Sequence, residues 1–362
     1  MFNNIYKNKR ILVTGHTGFK GSWLVAWLKM LGANIIGASL APNTDPAHFS
    51  LLGLDIESYL VDVCDADKVK KLIGKAKPEI LFHLAAQPIV RESYVDPIGT
   101  FATNVMGTVN VLNACRNSES LKAIVVVTSD KCYENKEWIW GYRENDPMGG
   151  YDPYSASKGC TELVINSFRN SYFNLEQFGK KHQVLLASAR AGNVIGGGDW
   201  AKDRLIPDIV KSIVASEKVL IRNPQATRPW QHVLECLSGY LCIGEKLLRG
   251  ENKFAEGWNF APTFEGDATV LDVVNKMQNN WSKLQYAIEE QTDHPHEAYL
   301  LKLDSSKAYT LLHWRNVWDL EKTIMMTTDW YRNFYEQAII STYEDIKNYV
   351  QEAQSLFLPW SS

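Results

Sequence analysis

A glycine-rich turn between a short apolar strand and an apolar helix is the feature that most constrains the fold of this chain. The strand is predicted over Arg10–Thr14, the glycines are Gly15, Gly18 and Gly21, and the helix is predicted over Ser22–Leu31. In this order, backbone N–H groups and the positive end of the helix dipole face an anion. A simple tight turn would also need glycine, but the flanking strand and helix favour a dinucleotide pyrophosphate site.

Further short apolar runs alternate with helical stretches along the first half of the chain. The later strands are predicted at Asn34–Ser39, Tyr59–Val61, from Glu79 onward, Ala123–Thr128 and Val184–Ser188. Their near-continuous apolar character is typical of parallel strands that are buried on both faces. We therefore predict an α/β protein with a Rossmann-type doubly wound parallel sheet and a smaller C-terminal α/β substrate domain. The boundaries are predicted at residues 1–190 and 191–362, and the chain is free to cross back between the two.

Composition excludes several classes of protein. The 362 residues carry a net charge of -3, which gives no electrostatic reason to expect nucleic acid or an anionic membrane as partner. No run of eighteen or more apolar residues is present, and the polar start has no signal-peptide core. The six cysteines are scattered without a Cys-x-x-Cys pair, so we expect reduced thiols in a cytoplasmic protein.

The stretch from Tyr154 to Lys158 is the candidate catalytic pair. Tyr and Lys four residues apart on a helix share one face. An ammonium beside a phenol favours the phenolate, so we expect a pKa for Tyr154 that falls toward neutrality, as suits a general base. The spacing recurs at Tyr343 and Lys347, which we interpret as a solvated helix face. Pro153 and small neighbouring residues favour the first copy as the site.

An acidic and a basic residue follow the most apolar strand. Ser129, Asp130 and Lys131 come directly after Ala123–Thr128. Open α/β sheets bind ligands at the carboxyl ends of their strands. A carboxyl and an amine at that edge can supply a general acid and a general base. The alternative is a surface ion pair that contributes little.

These motifs together resemble those of the extended short-chain dehydrogenases/reductases, and among them the nucleotide-sugar 4,6-dehydratases. The match runs from Lys9 to about Asp304. The runs Asn193-Val-Ile-Gly-Gly-Gly-Asp-Trp and Arg228-Pro-Trp-Gln-His-Val are most similar to the CDP-glucose group of that family. UDP-N-acetylglucosamine dehydratases of the inverting type share the Asp-Lys pair, so they stay an alternative, as does a nucleotide-sugar epimerase. A non-catalytic NAD-sensing protein is the alternative of another class.

The resemblance implies roles for individual residues. The implied catalytic residues are Ser129, Asp130, Lys131, Tyr154 and Lys158. The residues implied to bind NAD are Gly15, Thr17, Gly18, Phe19, Lys20, Gly21, Ser39, Asp62, Val63, Ala85, Ala86, Gln87, Asn104, Thr128, Tyr154 and Lys158. The residues implied to bind the nucleotide sugar are Gln87, Ser129, Asn193, Arg204, Arg222, Arg228 and Tyr299. Ser39 stands where a ribose-binding carboxylate is expected, so we expect only a modest preference for NAD over NADP.

The resemblance also implies a reaction and an assembly. The expected substrate is CDP-glucose, which would become CDP-4-keto-6-deoxyglucose by oxidation at C4, loss of water across C5 and C6, and hydride return to C6. A homodimer or higher homo-oligomer is expected through two long helices, predicted over Pro97–Cys115 and Tyr154–Gln177. No metal is expected, because the cluster at His294, His296 and Glu297 lacks the helical spacing of a metal site.

Overall fold

Seven parallel strands form the central sheet, and helices cover both of its faces. The computed structural model describes residues 1–262, 267–289 and 300–362. Ile11 and Val13 of the first strand pack into one core cluster, while Leu12 between them packs into the other. This alternation explains why the strands are apolar on both faces. The predicted Rossmann-type parallel sheet is confirmed.

The strands and helices follow one another in the order typical of a doubly wound sheet. The strands are β1 (Arg10–Thr14), β2 (Asn34–Ser39), β3 (Glu57–Leu60), β4 (Ile80–His83), β5 (Ala123–Val127), β6 (Leu185–Ala191), β7 (Val194–Ile195), β8 (Lys218–Ile221), β9 (Thr227–Pro229), β10 (Gln231–His232), β11 (Gly257–Phe260), β12 (Asp267–Thr269) and β13 (Gln285–Ile288). The helices are α1 (Phe19–Met30), α2 (His48–Leu51), α3 (Ala66–Ala76), α4 (Val90–Val95), α5 (Pro97–Phe101), α6 (Gly107–Cys115), α7 (Pro153–Ser171), α8 (Leu205–Ala215), α9 (Val233–Leu248), α10 (Val270–Asn280), α11 (Leu320–Gln337) and α12 (Thr342–Ser355). Across the central sheet the strand order is β3-β2-β1-β4-β5-β6-β11.

Helix α7 starts one residue before its predicted start at Tyr154 and ends earlier than predicted. The Asp152 carboxylate accepts a hydrogen bond from a backbone N–H of the first turn, and Pro153 fits the first helical position. The predicted end at Gln177 is wrong. The helix ends at Ser171 because the chain turns there to bury Phe173 in the core.

The predicted helix over Pro97–Cys115 is interrupted at its centre. A π-helical turn, Ala102–Met106, lies between α5 and α6. Such a turn adds a residue to the helix and rotates the side chains that follow it, and it occurs often at functional sites. The turn here carries Asn104, which is buried.

The chain returns to the central sheet after leaving it. Helix α9 packs against β5 and β6, and β11 then pairs with β6 as the outermost strand. Strand β6 also continues past its predicted end at Ser188, so Arg190 is a strand residue and not a loop residue. Between these elements, β7 pairs with β10, β8 with β13, and β9 with β12 as three small sheets. The predicted domain boundary at residue 190 stays a prediction.

The two C-terminal helices pack against different parts of the fold. Helix α11 packs against α10, but α12 packs against α1 of the central sheet. The ring of Tyr349 on α12 meets Trp27 on α1 edge to face, with 5.8 Å between the centroids. This packing could not be predicted from the sequence, because a helical pattern does not show which surface the apolar face meets.

The described ranges of the chain contain neither a membrane-spanning helix nor a metal-binding cluster. No helix there is long and apolar enough to cross a bilayer. Within the same ranges, no group of three or more His, Cys, Asp or Glu side chains is placed to hold a metal ion. The cluster at His294, His296 and Glu297 lies outside the described residues.

Candidate active site

The glycine loop between β1 and α1 forms a cradle that side chains would fill. Gly15 has φ of +73°, and a Cβ there would lie 2.7 Å from the backbone N of Ala85. A Cβ on Gly21 would lie 2.1 Å from the carbonyl oxygen of Gly15. Gly18 begins α1 without a side-chain cap, so N–H groups of the first turn stay available to an anion. This geometry fits the pyrophosphate of a dinucleotide.

The first turn of α1 brings a cation to the candidate cleft. Phe19 packs against the core, whereas the Lys20 ammonium interacts with charges on both Arg204 and Asp130. Removal from water lowers the pKa of Lys20, and the nearby Arg204 lowers it further. The glycine loop and the end of β5 therefore share one electrostatic environment.

The ends of β2 and β3 lie where an adenosine would be expected. The hydroxyls of Thr17 and Ser39 are hydrogen-bonded at 2.8 Å. Asp62 accepts a hydrogen bond from the backbone N–H of Cys64 at 2.9 Å, and Val63 beside it is buried. Ser39 is thus already paired with Thr17, and no carboxylate occupies the end of β2. The cofactor roles of these residues stay predictions.

Small residues follow β4, as the sequence predicts for a close cofactor approach. Ala85 and Ala86 are half-buried. The Gln87 side chain does not extend freely from this loop. It donates to the Thr100 hydroxyl at 2.8 Å and to the carbonyl of Ile89, and it accepts from the N–H of Ile89. Its predicted contacts to cofactor and substrate stay predictions.

Asn104 connects three parts of the site, as its buried helical position suggested. Its side-chain oxygen accepts from the N–H of Gln87 at 2.8 Å, and its amide donates to the carbonyl of Gln87 at 3.1 Å. The same amide donates to the Ser157 hydroxyl at 2.8 Å. The loop after β4 is thereby held to α7, which carries the candidate catalytic pair.

The end of β5 carries a buried carboxyl group. The Ser129 hydroxyl donates to Asp130 Oδ1 at 2.9 Å, while Asp130 Oδ2 is buried and has no hydrogen-bond partner in the described part of the chain. Burial raises the pKa of Asp130, although Lys131 and Ser129 oppose the rise. A carboxyl that retains its proton can donate it to a leaving hydroxyl. Lys131 is half-buried beside it.

Tyr154 and Lys158 lie on the first turns of α7, both buried, at the same edge of the sheet. The Lys158 ammonium nitrogen is 6.0 Å from the centre of the Tyr154 ring. Burial raises the pKa of Tyr154 to about 12, and Asp130 adds to the rise against the opposing effect of Ser129. Burial lowers the pKa of Lys158 to about 8, helped by Lys20. The predicted fall of the Tyr154 pKa is therefore wrong for the free protein, because loss of hydration outweighs the Ser129 hydrogen bond and the charge of Arg204.

The predicted substrate residues lie in the loops and small sheets of the second half. Arg204 donates to the Asp199 carboxylate at 2.9 Å. Arg222 is 3.7 Å from the carboxylate of Asp203, and Arg228 lies on β9, where it donates to a neighbouring carbonyl. Asn193 is half-buried between β6 and β7, and Tyr299 lies outside the described residues. Tyr154 and Arg204 are close enough for their charges to interact.

Sequence reasoning missed two groups of charged residues. Glu162 and Arg190 form a buried ion pair beneath the catalytic segment. Arg91 on α4 is 3.5 Å from Asp203 and so reaches the same carboxylate as Arg222. Glu162 could have been found, because it lies four residues after Lys158 on the same helical face. No comparable signal precedes Arg91.

The parallel sheet, the glycine cradle and the Tyr-Lys helix beside an acidic strand end together define an enzyme of the extended short-chain dehydrogenase/reductase class. The profile of the family described as GDP-mannose 4,6 dehydratase matches residues 12–327. The chain belongs to this family. The predicted recognition of a nucleotide-sugar 4,6-dehydratase is thereby confirmed.

Individual relatives agree with this assignment. CDP-glucose 4,6-dehydratase of Salmonella typhimurium is 50% identical over 351 residues, which cover 96% of this chain and 98% of the relative. Human dTDP-D-glucose 4,6-dehydratase is 26% identical over 90% of this chain and 91% of its own. The solved UDP-glucuronic acid 4-epimerase of Bacillus cereus, in complex with UDP-glucuronic acid and NAD, superposes with a TM-score of 0.76. It is 21% identical over 90% of this chain and 99% of its own, and this likeness shows the fold alone.

Proposed function

We propose that the enzyme is a CDP-glucose 4,6-dehydratase that uses NAD. The observation that carries the dehydratase assignment is the buried Asp130 carboxyl at the end of β5, close enough to Tyr154 to affect its titration. An epimerase needs no acid for a leaving hydroxyl, and this site holds one. The cytidine base is supported by the 50% identity to the Salmonella enzyme.

The residues of the chain have separate tasks in the proposed reaction. NAD, when bound, would supply the hydride acceptor for C4, the hydride donor for C6 and a positive charge that favours the phenolate. Tyr154 takes the proton of the sugar O4 hydroxyl, and Ser129 hydrogen-bonds near that oxygen. Lys158 stabilises the phenolate through its ammonium and holds the nicotinamide ribose.

Elimination falls to the segment at the end of β5. The C4 ketone acidifies the C5 proton, which Lys131 removes. Asp130 gives its proton to the C6 hydroxyl, which leaves as water. One hydride leaves C4 and one arrives at C6, where Lys131 returns its proton to C5 as the hydride adds. The proton taken from O4 replaces the one that Asp130 gave to the leaving hydroxyl, so the reaction is redox-neutral and releases only water. The direction of the Asp130 pKa supports this role, because burial raises it and so favours the protonated carboxyl that can donate to the leaving hydroxyl.

The test is a panel of nucleotide sugars with the product mass as readout. CDP-glucose with NAD is expected to lose one water, and to do so faster than dTDP-glucose, GDP-mannose or UDP-N-acetylglucosamine. A different preferred donor would contradict the cytidine assignment. Inversion at C4 without mass loss would identify an epimerase. Binding of NAD with no hydride exchange would identify a sensing protein.

The cofactor proposal has its own measurement. The end of β2 offers the Ser39 hydroxyl, which is paired with Thr17, and no carboxylate to read the ribose. We therefore expect NAD to be preferred over NADP by less than a hundredfold. Titration of the cofactor-free protein with both dinucleotides, followed by tryptophan fluorescence, measures the ratio. A preference above a hundredfold would contradict the argument from Ser39.

The proposed assembly is a homo-oligomer formed through the two long helices. Large apolar side chains are exposed along α5, the π-helical turn and α7 with the residue that follows it: Ile98, Phe101, Met106, Leu163 and Tyr172. An exposed apolar surface of this kind is typical of an interface. Sedimentation of the wild-type protein and of Leu163→Asp tests it. The substitution is expected to yield monomers, and a wild-type monomer would contradict the proposal.

A further inference from the structure

Glu162 and Arg190 form an ion pair beneath the candidate active site. Their side chains are 4% and 5% exposed. Arg190 Nε donates to Glu162 Oε1 at 2.9 Å, and Nη2 donates to Oε2 at 2.8 Å, which is the two-pronged geometry of a strong pair. Burial alone would raise the pKa of Glu162, but Arg190 holds it below its usual value, so the carboxylate stays ionised.

The Glu162 carboxylate also holds the ends of two strands against α7. The Thr128 hydroxyl donates to Oε1 at 2.5 Å, and the Ser188 hydroxyl of β6 donates to Oε2 at 2.8 Å. Thr128 follows β5 and leads directly into Ser129. The hydroxyl of Thr128 is therefore committed to Glu162 and fixes the start of the segment that carries Asp130 and Lys131.

Arg190 holds the other end of that segment. Its Nη1 donates to the Tyr133 hydroxyl at 2.5 Å and to the carbonyl of Glu144 at 3.1 Å. The Tyr133 hydroxyl in turn donates to Asn259 of β11 at 2.8 Å. Residues 129–132 thus lie between two anchors, Thr128 and Tyr133, and both anchors end on the same ion pair.

Tyr154 and Lys158 are held in a different way. They lie on one helix, so the helix itself fixes the distance between them. The Asp152 cap and the Ser93 hydroxyl, which accepts from the N–H of Tyr154 at 3.1 Å, fix the start of that helix. Loss of the anchors would shift residues 129–132 relative to the Tyr-Lys pair without changing the pair.

We propose that Glu162, oriented by Arg190, is a positioning residue that holds residues 129–132 against the Tyr154–Lys158 face of α7. The proposal rests on the proposed function, because it assigns oxidation at C4 to the Tyr154–Lys158 pair on α7 and loss of water to residues 129–132. Its consequence is that a weakened anchor slows water loss while oxidation at C4 continues. General loss of stability would instead reduce both steps together.

The chain offers a matched pair of variants. Thr128→Val and Ser188→Ala each remove one buried hydroxyl that donates to Glu162, and neither leaves Arg190 without its counter-charge. They should lower the melting temperature to a similar extent. Only Thr128 leads directly into residues 129–132, which carry Asp130 and Lys131. Glu162→Gln is less informative, because an uncompensated buried guanidinium can prevent folding.

We expect Thr128→Val to slow water loss by about ten- to a hundredfold, since a misplacement of about 1 Å costs on that order. Reduced nicotinamide should then accumulate in a single turnover with CDP-glucose, and water loss should slow more than the initial rate of its formation. Both rates are measured at saturating NAD, because Thr128 is itself implied to bind the cofactor. Ser188→Ala should show neither effect. Equal effects of the two variants, or an unchanged ratio of the two steps in Thr128→Val, would overturn the proposal.

A second readout does not depend on the substrate. Amide hydrogen exchange of residues 129–133 should be faster in Thr128→Val than in Ser188→Ala, while the start of α7 exchanges equally in both. Equal exchange of residues 129–133 would overturn the proposal. If the wild-type protein releases no water from CDP-glucose and this difference persists, the proposed function is wrong and the positioning role stands.

Discussion

The two sides of the candidate cleft hold their charges in opposite ways. On the sheet side, Glu162 and Arg190 are almost completely buried, and their hydrogen bonds include several to neighbouring buried groups. On the side of the small sheets, Arg222 and Asp203 are 3.7 Å apart with side chains 36% and 34% exposed. The first pair cannot change partner without exposing a buried charge. In the second pair, Arg222 can leave the Asp203 carboxylate and bind a phosphate with little loss of free energy, because exposed ion pairs are weak.

This difference suggests that the sheet side is fixed in advance for proton transfer, whereas the side of the small sheets adapts when a ligand binds. Groups that move protons must be placed to within a fraction of an ångström before the substrate arrives. Arginines that recognise a diphosphate can instead complete their geometry when the ligand binds. Substitutions on the sheet side should therefore lower kcat, and substitutions among the exposed arginines should raise KM.

The largest expected effect is that of Tyr154→Phe. The substitution removes the proton acceptor and keeps the shape of the side chain. Loss of general-base catalysis typically costs about 10²–10⁴ in rate, so the rate of CDP-glucose dehydration should fall by this factor. Tyr343→Phe is the control, since Tyr343 lies half-buried on α12. Similar losses in both variants would show that Tyr154 is only structural.

Next comes Lys131→Ala, which separates elimination from oxidation. Oxidised sugar should form and stall, so bound reduced nicotinamide accumulates while water loss falls by about 10² or more, the usual scale for a lost general base. Stopped-flow absorbance read beside product mass measures both. Lys136→Ala, a change at an exposed residue of the following loop, is the control. Normal water loss without accumulation would mean that another group removes the C5 proton.

Arg222→Gln should have a smaller effect, and on KM. A charge-assisted hydrogen bond contributes about 1.5–3 kcal/mol, and partial exposure of Arg222 places the expected rise in KM near the low end, about tenfold. Added salt should reduce the difference from wild type. Arg249→Gln is matched in exposure and pairs with Glu245 on α9. A fall in kcat with unchanged KM would contradict the comparison between the two sides.

The effect that is expected to be smallest near neutral pH is the one on the pH profile. Lys158 has a pKa of about 8, so its ammonium is present below pH 8 and is lost above it. We expect kcat/KM to fall about tenfold per pH unit above that value. This alkaline fall should disappear in Lys158→Arg, because arginine stays charged there. The unfolded value is higher, near 10.4. The unfolded chain therefore binds more protons between these values, and this group makes stability rise with pH there.

Much of the fold could be predicted from local pattern. The strands β1 and β2 match their predicted bounds, and the glycine loop between β1 and α1 follows from short-range chemistry. Contacts between distant segments could not be predicted in the same way. The return of β11 to the sheet and the packing of α12 on α1 depend on which apolar faces meet. The pattern of a single sequence does not show which faces these are.

The candidate site divides along the same line. Motif spacing found Asp130, Tyr154 and Lys158, because residues close in sequence share an edge or a face. It gave the wrong direction for the pKa of Tyr154, because burial is a property of the whole fold. It missed Arg190, since an arginine after an apolar run looks like the end of a strand when its buried partner is unknown.

The side-chain amide of Asn104 forms the hydrogen bonds that a backbone peptide group of a neighbouring strand would form. It accepts from the N–H and donates to the carbonyl of a single residue, Gln87, which is how one peptide group pairs with another. Aspartate has no donor for the carbonyl, and glutamine is one methylene too long for the same register. A saturation library at this codon should therefore return asparagine almost alone, although the position lies in a helix interior where asparagine is a poor helix former. Substitution at residue 104 is therefore limited by the two hydrogen bonds to the backbone of Gln87 and not by helix propensity.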